Sequence, residues 1–254
     1  MPINTIRSPT RRCPLSGCAR LLGLLAASLL TMPVALAFSV EPMLMELSPF
    51  GGSSRVSMSI TNEGSTPLTI EARSLRMAHD ADGNEALSDA EDSLLVFPPV
   101  AIVQPGSAQT LQVQYTGDPE LANSETYRIV IENVPVSLDG TGTSGVSIQT
   151  SVQTLLHVVP AGARGTIRSL GITEAPNGNW YVSIANEGDR YARLVDTRWT
   201  LESGSAGTRT LEGEEVDRLV GPNLVLPGSS RRFEFQAPDG FRAADTSIRI
   251  DPIE

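Results

Sequence analysis

A run of strict alternation between residues 146 and 158 constrains the fold of this chain more than any other segment. Every second position in it is apolar or β-branched, and most positions between are serine or glutamine. The alternating positions are Val146, Ile148, Thr150, Val152, Thr154, Leu156 and Val158. Period two predicts a β-strand with one apolar and one polar face. The strand is either an ordinary core strand or one that lends part of its apolar face to another protein.

The first 37 residues have the three parts of a secretory signal peptide. A basic segment without acidic residues precedes a leucine-rich apolar stretch at residues 21–30, and a small-residue site, Ala35-Leu36-Ala37, follows. We therefore expect an exported protein whose mature chain begins at Phe38. The apolar stretch is too short to span a bilayer, so no membrane anchor is expected. The general secretory and twin-arginine export routes both stay open.

Removal of this leader changes the composition. Both cysteines, Cys13 and Cys18, leave with it, so no disulfide or thiol chemistry is expected in the mature chain. The leader also contains four arginines and no acidic residue, so its removal takes the net charge from −10 to −14. The whole chain has no lysine. A strongly acidic protein repels polyanions, so no nucleic-acid partner is expected.

The remainder of the chain contains the same pair of turn-forming sequences twice. Asn-Glu-Gly follows a strand-like run at residues 62–64 and again at 186–188, and Pro-Gly-Ser comes later at 105–107 and 227–229. Pro-Gly fits the centre of a type II turn, and Asn-Glu-Gly can supply a left-handed residue. Short strands with closely spaced turn signals predict an all-β fold. The repeat predicts two immunoglobulin-like β-sandwich domains, residues 38–160 and 161–254, at an angle with a cleft between them.

Two features of the N-terminal half predict local structure. The acidic run at residues 80–84 is predicted to be a hairpin turn, because its glycine is misplaced for a calcium-binding loop. The sequence Phe97-Pro98-Pro99 is predicted to contain a cis prolyl bond, since such bonds are almost confined to proline.

No set of residues has the spacing of a catalytic or metal site. The two histidines, His79 and His157, belong to no zinc-binding motif, and the chain lacks nucleotide-binding glycine motifs and a serine-nucleophile motif. His157 is predicted to be a packed or rim histidine, and Glu214-Glu215 to lie in a polar, solvated turn. We therefore expect a protein that is not an enzyme and binds no metal or cofactor.

The order of the signals resembles the PapD-like family of periplasmic pilus-assembly chaperones. The resemblance rests on segments that come in the family's order along residues 38–160, and more loosely on the second Asn-Glu-Gly and Pro-Gly. The segments are Ser39-Val40-Glu41-Pro42, Ile60-Thr61-Asn62, Phe97-Pro98-Pro99, the turn at residues 105–109, the run from Tyr127 to Pro135, and the alternating strand ending at Pro160. The short connection after Pro135 and the Tyr127-Arg128 pair are similar to the archaic branch.

The resemblance implies that the alternating strand pairs with an open pilus subunit and inserts its side chains into the subunit's core. Aligned back from Pro160, the inserted residues are Val146, Ile148, Thr150 and Val152. The family also anchors the subunit's terminal carboxylate with an arginine and a lysine. Those two positions are Leu44 and Leu155 here, so the chain lacks both cations. Arg128 and Arg76 are the candidate substitutes, with ordinary surface pairing as the alternative.

Two functions follow from this reasoning. The first is a periplasmic chaperone that binds and caps pilus subunits by donor-strand complementation and delivers them to an outer-membrane usher. The second is a structural or accessory cell-surface protein that keeps the sandwich pair without capping subunits. The missing cations at Leu44 and Leu155 are the reason for the second.

Overall fold

The structure is a computed structural model that describes residues 38–134 and 149–253. The predicted leader, and Val146 and Ile148 of the alternating run, lie outside the described residues. No helix in the described ranges is long and apolar enough to cross a membrane.

Ten strands form the N-terminal half of the described chain. They are β1 (Phe38–Glu41), β2 (Leu44–Leu47), β3 (Arg55–Asn62), β4 (Leu68–His79), β5 (Glu85–Asp89), β6 (Leu94–Phe97), β7 (Val100–Val103), β8 (Ala108–Tyr115), β9 (Glu125–Asn133) and β10 (Ser151–Val158). One sheet has the order β1-β3-β8-β6, and the other has the order β2-β10-β9-β4-β5, with β7 also paired to β4. All these pairings are antiparallel except that of β2 with β10, which is parallel.

The C-terminal half repeats the all-β architecture with one short helix. Its strands are β11 (Ile167–Glu174), β12 (Trp180–Asn186), β13 (Ala192–Arg193), β14 (Thr197–Ser203), β15 (Gly207–Glu212), β16 (Leu224–Val225), β17 (Ser230–Phe235) and β18 (Thr246–Pro252). They form sheets of order β11-β12-β17, β13-β16 and β15-β14-β18. The helix α1 (Glu214–Val220) contradicts the turn predicted around Glu214-Glu215. Two acids at its start complement the positive end of the helix dipole.

Each half has its own hydrophobic core. The first core draws its buried residues from between Phe38 and Val158, and the second from between Trp180 and Ile250. The predicted boundary between residues 160 and 165 falls between these two sets. The fold is therefore the predicted pair of β-sandwiches, whose exact domain limits stay a prediction.

The repeated Asn-Glu-Gly signal marks a buried asparagine that holds the Pro-Gly turn in each half. The Asn62 side chain donates to the carbonyls of Thr66 (2.8 Å) and Val103 (2.9 Å) and accepts from Gly64 N–H (2.9 Å). Asn186 makes the equivalent three contacts in the second sandwich, to Arg190, Val225 and Gly188. The main chain of each asparagine also pairs with the glycine and serine of its Pro-Gly-Ser turn.

The left-handed residue lies in the Pro-Gly turn and not in Asn-Glu-Gly, so that detail of the sequence prediction is wrong. Gly106 and Gly228 have φ values of 67° and 64°, and Ser107 N–H closes the first turn on Gln104 O at 3.0 Å. These are the features of a type II turn. Gly188 is needed for another reason, because a Cβ there would lie 2.1 Å from Arg164 O.

Replacing Asn62 by alanine is expected to destabilise the protein by about 2–4 kcal/mol, because three hydrogen bonds are lost and two carbonyls lose the side-chain amide as a donor. Asn62→Asp retains the acceptor for Gly64 and loses both donors, so it should also be destabilising. Urea denaturation measures the loss. An alanine substitution at the exposed Glu63 serves as the control, and an equal effect of both alanine variants would contradict the role of Asn62.

Two local predictions are confirmed. Residues 80–84 form the turn between β4 and β5, in which the Asp80 carboxylate accepts bonds from Asp82 N–H, Asn84 N–H and the Asn84 side chain. The Phe97-Pro98 bond is cis, as is Glu41-Pro42.

Candidate functional site: a free strand edge that ends at an arginine-lined cleft

The strand β10 is shorter than the alternating run predicted, because regular pairing among the described residues starts at Ser151. One edge of β10 pairs with β9 over its whole length. The other edge pairs with β2 only from Leu155 to Val158. Within the described ranges, residues 151–154 therefore present an open edge, and that edge ends where β2 begins. The bond from Leu155 N–H to Met43 O, at 2.9 Å, marks the point of closure.

The side chains of this segment divide as the alternation predicts. Leu156 and Val158 are fully buried in the first core, whereas Val152 is half-buried and packs against its rim. Thr150 is also half-buried, and its carbonyl accepts a bond from Asn133 N–H at 2.9 Å. The strand thus passes from the core to an incompletely covered edge along one face.

A cleft of about 310 Å³ lies where the open edge ends, between the two sandwiches. The N-terminal sandwich contributes Met43, Leu44, Met77, Leu155, His79, Gly83, Glu85 and Arg128, and the C-terminal sandwich contributes Arg193, Pro222, Asn223, Leu224 and Arg231. The cleft that was predicted between the sandwiches is therefore present. Its lining is mostly apolar, with charged groups confined to three arginines and one glutamate.

Strand register places three of the predicted site residues side by side in this cleft. Leu155 pairs with Leu44 on β2 and with Arg128 on β9, so the three side chains form one row on the same face of the sheet. Leu44 and Leu155 both line the cleft, and their role as the family's anchor positions stays a prediction. Arg128, the first candidate substitute, is the immediate neighbour of Leu155.

Arg76, the second candidate, lies on the other face of β4. It pairs in register with Tyr127, one residue before Arg128, so the two arginines point to opposite sides of the sheet. Its guanidinium pairs with Glu125, donates to Ser93 and lies over the Tyr127 ring. These contacts favour the ordinary structural pairing that was the alternative for Arg76.

The charge balance of the cleft is positive. Arg128 makes a two-point contact with Glu85, whereas Arg231 donates to the carbonyls of Pro222 (3.0 Å) and Leu224 (2.6 Å) and has no hydrogen-bond partner for its buried Nε in the described chain. Burial lowers the pKa of Arg231, and the nearby Glu85 opposes that effect. His79 accepts a bond from Leu226 N–H at Nε2 (3.1 Å), so its ring is neutral there. The cleft can therefore attract an anionic group.

Contacts between the sandwiches flank the cleft on two sides. On one side Arg232 N–H donates to Ala81 O of the β4–β5 turn (2.6 Å). On the other, the Tyr191 ring stacks on His157 with centroids 3.5 Å apart, and its hydroxyl donates to Glu46 (2.8 Å). His157 is fully buried, which confirms it as a packed histidine.

Sequence reasoning missed the two arginines of the C-terminal wall. The position of Arg231 in the fold could have been predicted from the repeat. When the two Pro-Gly-Ser turns are aligned, Arg231 falls at the position that Gln109 has in the first copy. The structure gives these residues the same place, since Gln109 pairs with Ile60 and Arg231 pairs with Ile184. Arg193 carries no comparable signal.

Comparison with known proteins identifies the N-terminal sandwich. Residues 48–163 match the family described as "Pili and flagellar-assembly chaperone, PapD N-terminal domain". The N-terminal sandwich is therefore similar to the N-terminal domain of PapD-like chaperones. No curated protein matches the chain. The match over residues 48–163 confirms the resemblance read from the order of the sequence signals, and the archaic branch stays a prediction.

Solved structures share the PapD-like chaperone fold over both sandwiches. The class 5 fimbriae chaperone CfaA has 16% identity and a TM-score of 0.54, over 84% of this chain and 98% of its own. A chain of a chaperone–tip adhesin complex of CFA/I fimbriae biogenesis has 15% identity and a TM-score of 0.55, over 85% and 100%. A chain of the CsuC–CsuE chaperone–tip subunit complex of Acinetobacter baumannii has 16% identity and a TM-score of 0.50, over 80% and 91%. At these identities the likeness shows the fold alone.

Proposed function

We propose that this protein is a periplasmic chaperone that caps pilus subunits by accepting a subunit strand on the open edge of β10. The observation that carries the proposal is the edge itself, which is open over residues 151–154 and ends beside the cleft. An unpaired edge offers main-chain hydrogen bonds to any extended partner. Thr150 and Val152 would supply the sequence-dependent part, together with Val146 and Ile148, which the alternation of the sequence predicts for the same role.

The end of the edge, together with the arginines beside it, supports one direction for the partner strand. A strand added along residues 151–154 cannot continue past Leu155, because β2 occupies the edge from there on. The partner chain must therefore stop or turn away at the cleft. Arginines favour a carboxylate over an ammonium group. A partner that ends at the cleft would thus place its C-terminus there and run parallel to β10, as β2 does.

Of the two predicted substitutes for the missing cations, Arg128 is the better supported. It lies in the row formed by Leu44 and Leu155, whereas Arg76 lies on the opposite face of the sheet. We propose that Arg128, assisted by Arg193 and Arg231 across the cleft, holds the subunit's terminal carboxylate.

Delivery to an outer-membrane usher would need a second surface that stays accessible while the edge of β10 is filled. The β6–β7 region offers one, because Leu95, Phe97, Val100 and Ile102 are all exposed. Neither strand adjoins β10, since β6 ends the first sheet and β7 pairs with β4. Exposed apolar patches of this kind mark protein interaction sites.

Capture of a subunit tests the proposal. The double variant Thr150→Asp/Val152→Asp should lose subunit co-purification at least about tenfold, because two carboxylates would have to enter an apolar groove. Leu87→Asp on β5, the opposite edge of the same sheet, should leave capture unchanged. Purification from the periplasm with candidate subunits co-expressed, followed by mass spectrometry, measures the effect. If no subunit co-purifies with any variant, the accessory cell-surface role is favoured instead.

A further inference from the structure

The cleft already contains a carboxylate that belongs to the protein itself. Glu85 is the first residue of β5, and its two oxygens accept hydrogen bonds from Arg128, Nε to Oε2 at 3.2 Å and Nη2 to Oε1 at 2.5 Å. A planar guanidinium holds the terminal carboxylate of a polypeptide by the same two-point contact. Among the described residues that line the cleft, Glu85 is the single acid.

We propose that Glu85 occupies the ligand's place on Arg128 in the free protein, and that the terminal carboxylate of a bound strand replaces it. The inference rests on the function proposed above. It assigns Glu85 a specific role, as the internal competitor that sets how strongly the cleft prefers a chain that ends in a free carboxylate.

The position of Glu85 allows such an exchange. Its ion pair with Arg128 is partly exposed at both ends, with side-chain exposures of 38% and 22%. All five residues of β5 are exposed, and β5 pairs only with β4 in the described sheet. The Glu85 side chain can therefore turn toward solvent without opening the core.

The other charges of the cleft favour the exchange. Arg193 and Arg231 lie on the opposite wall, and the only acid within 4 Å of either is Asp196, at 3.8 Å from Arg193 in the described chain. The cleft lining thus has three arginines and one glutamate, which is an excess of two positive charges. An arriving carboxylate is attracted before Glu85 leaves, so the exchange need not pass through an unpaired Arg128.

Two peptides separate this inference from the proposed function. The probe is a short peptide of alternating valine and threonine, prepared once with a free C-terminal carboxylate and once as the C-terminal amide. Wild-type protein should bind both through the strand edge and should prefer the free acid. Glu85→Gln should bind the acid about fivefold more tightly, the upper range for a partly exposed ion pair, and the amide equally well. Isothermal titration calorimetry measures both constants.

Two further variants show whether the gain is local. Asp89→Asn changes the net charge by the same amount on the same strand, outside the cleft lining, and should leave both affinities unchanged. In an Arg128→Gln background the Glu85→Gln substitution should bring no gain, because the shared arginine is gone. A gain that persists in that background, or an acid affinity that Glu85→Gln leaves unchanged or lowers, would overturn the role of Glu85 alone. Failure of both peptides to bind any variant would overturn the proposed function together with it.

Discussion

Replacing Leu156 by aspartate is expected to unfold the N-terminal sandwich, whereas Thr150→Asp should leave it folded. Both positions belong to the same alternating set, but Leu156 is fully buried, whereas Thr150 is half-buried and lies just before the open edge. Loss of the leucine and burial of an unpaired charge together cost about 5 kcal/mol or more. That is comparable to the whole stability of a typical domain, about 5–15 kcal/mol. Thr150→Asp should cost less than about 1 kcal/mol.

Guanidinium denaturation of the purified variants gives both values, and the yield of soluble protein provides a second readout. Leu156→Met is the matched control, because it nearly conserves volume and should cost less than about 1.5 kcal/mol. Equal destabilisation by Leu156→Asp and Thr150→Asp would show that the whole segment is an ordinary core strand. That result would remove the basis for subunit capture at this edge.

Acidification is expected to weaken the folded protein well before its carboxylates titrate, through His157. Burial, together with the positive charges of Arg190, Arg193 and Arg128, lowers the pKa of His157 to about 3. Below its unfolded pKa of about 6.5, the unfolded chain binds a proton that the folded chain excludes. The free energy of unfolding is therefore fully retained above pH 6.5 and falls by about 1.4 kcal/mol per pH unit below it, or about 2 kcal/mol at pH 5.

The chain has only one other histidine, His79, whose pKa burial also lowers, so its contribution has the same sign. Measuring the free energy of unfolding from pH 5 to 7 in a His79→Gln background isolates His157. Adding His157→Gln should flatten the remaining slope, although the loss of the Tyr191 stack lowers stability at every pH. A slope that survives both substitutions would contradict this account, because no other side chain ordinarily titrates in that range.

The sequence predicted the sandwich pair well because its signals are local. The alternation along β3, β8, β10 and β12 indicates which residues face a core. Pro-Gly-Ser indicates a turn because its own residues favour that conformation. The helix at Glu214–Val220 was missed because its seven residues are too few to establish a helical period. Likewise, Asn-Glu-Gly was recognised as a turn signal, but the buried hydrogen bond from Asn62 to Val103 joins residues far apart in the chain.

The position of the cleft between the sandwiches could be predicted from the sequence, but most of the residues that line it could not. Arg128 could be selected because it lies near the alternating strand in the sequence, and Arg76 was selected with it because the strand register of β4 against β9 was unknown. That register puts Arg76 opposite Tyr127 and thus on the other face. Arg193 and Arg231 reach the cleft only through the packing of the second sandwich on the first, which no local pattern encodes.

The short parallel strand β2 has a consequence for how partners are told apart. If the proposed function holds, closure of the edge at Leu155 would make every partner strand end at the same position, so that the partner's side chains are placed by their distance from its C-terminus. Successive side chains of a strand face opposite ways, so one extra residue at the partner's C-terminus would turn its whole inward set outward. The four residues of β2, Leu44–Leu47, would then make binding depend on the number of residues in the partner's final segment. The amino-acid composition of the partner does not specify that number.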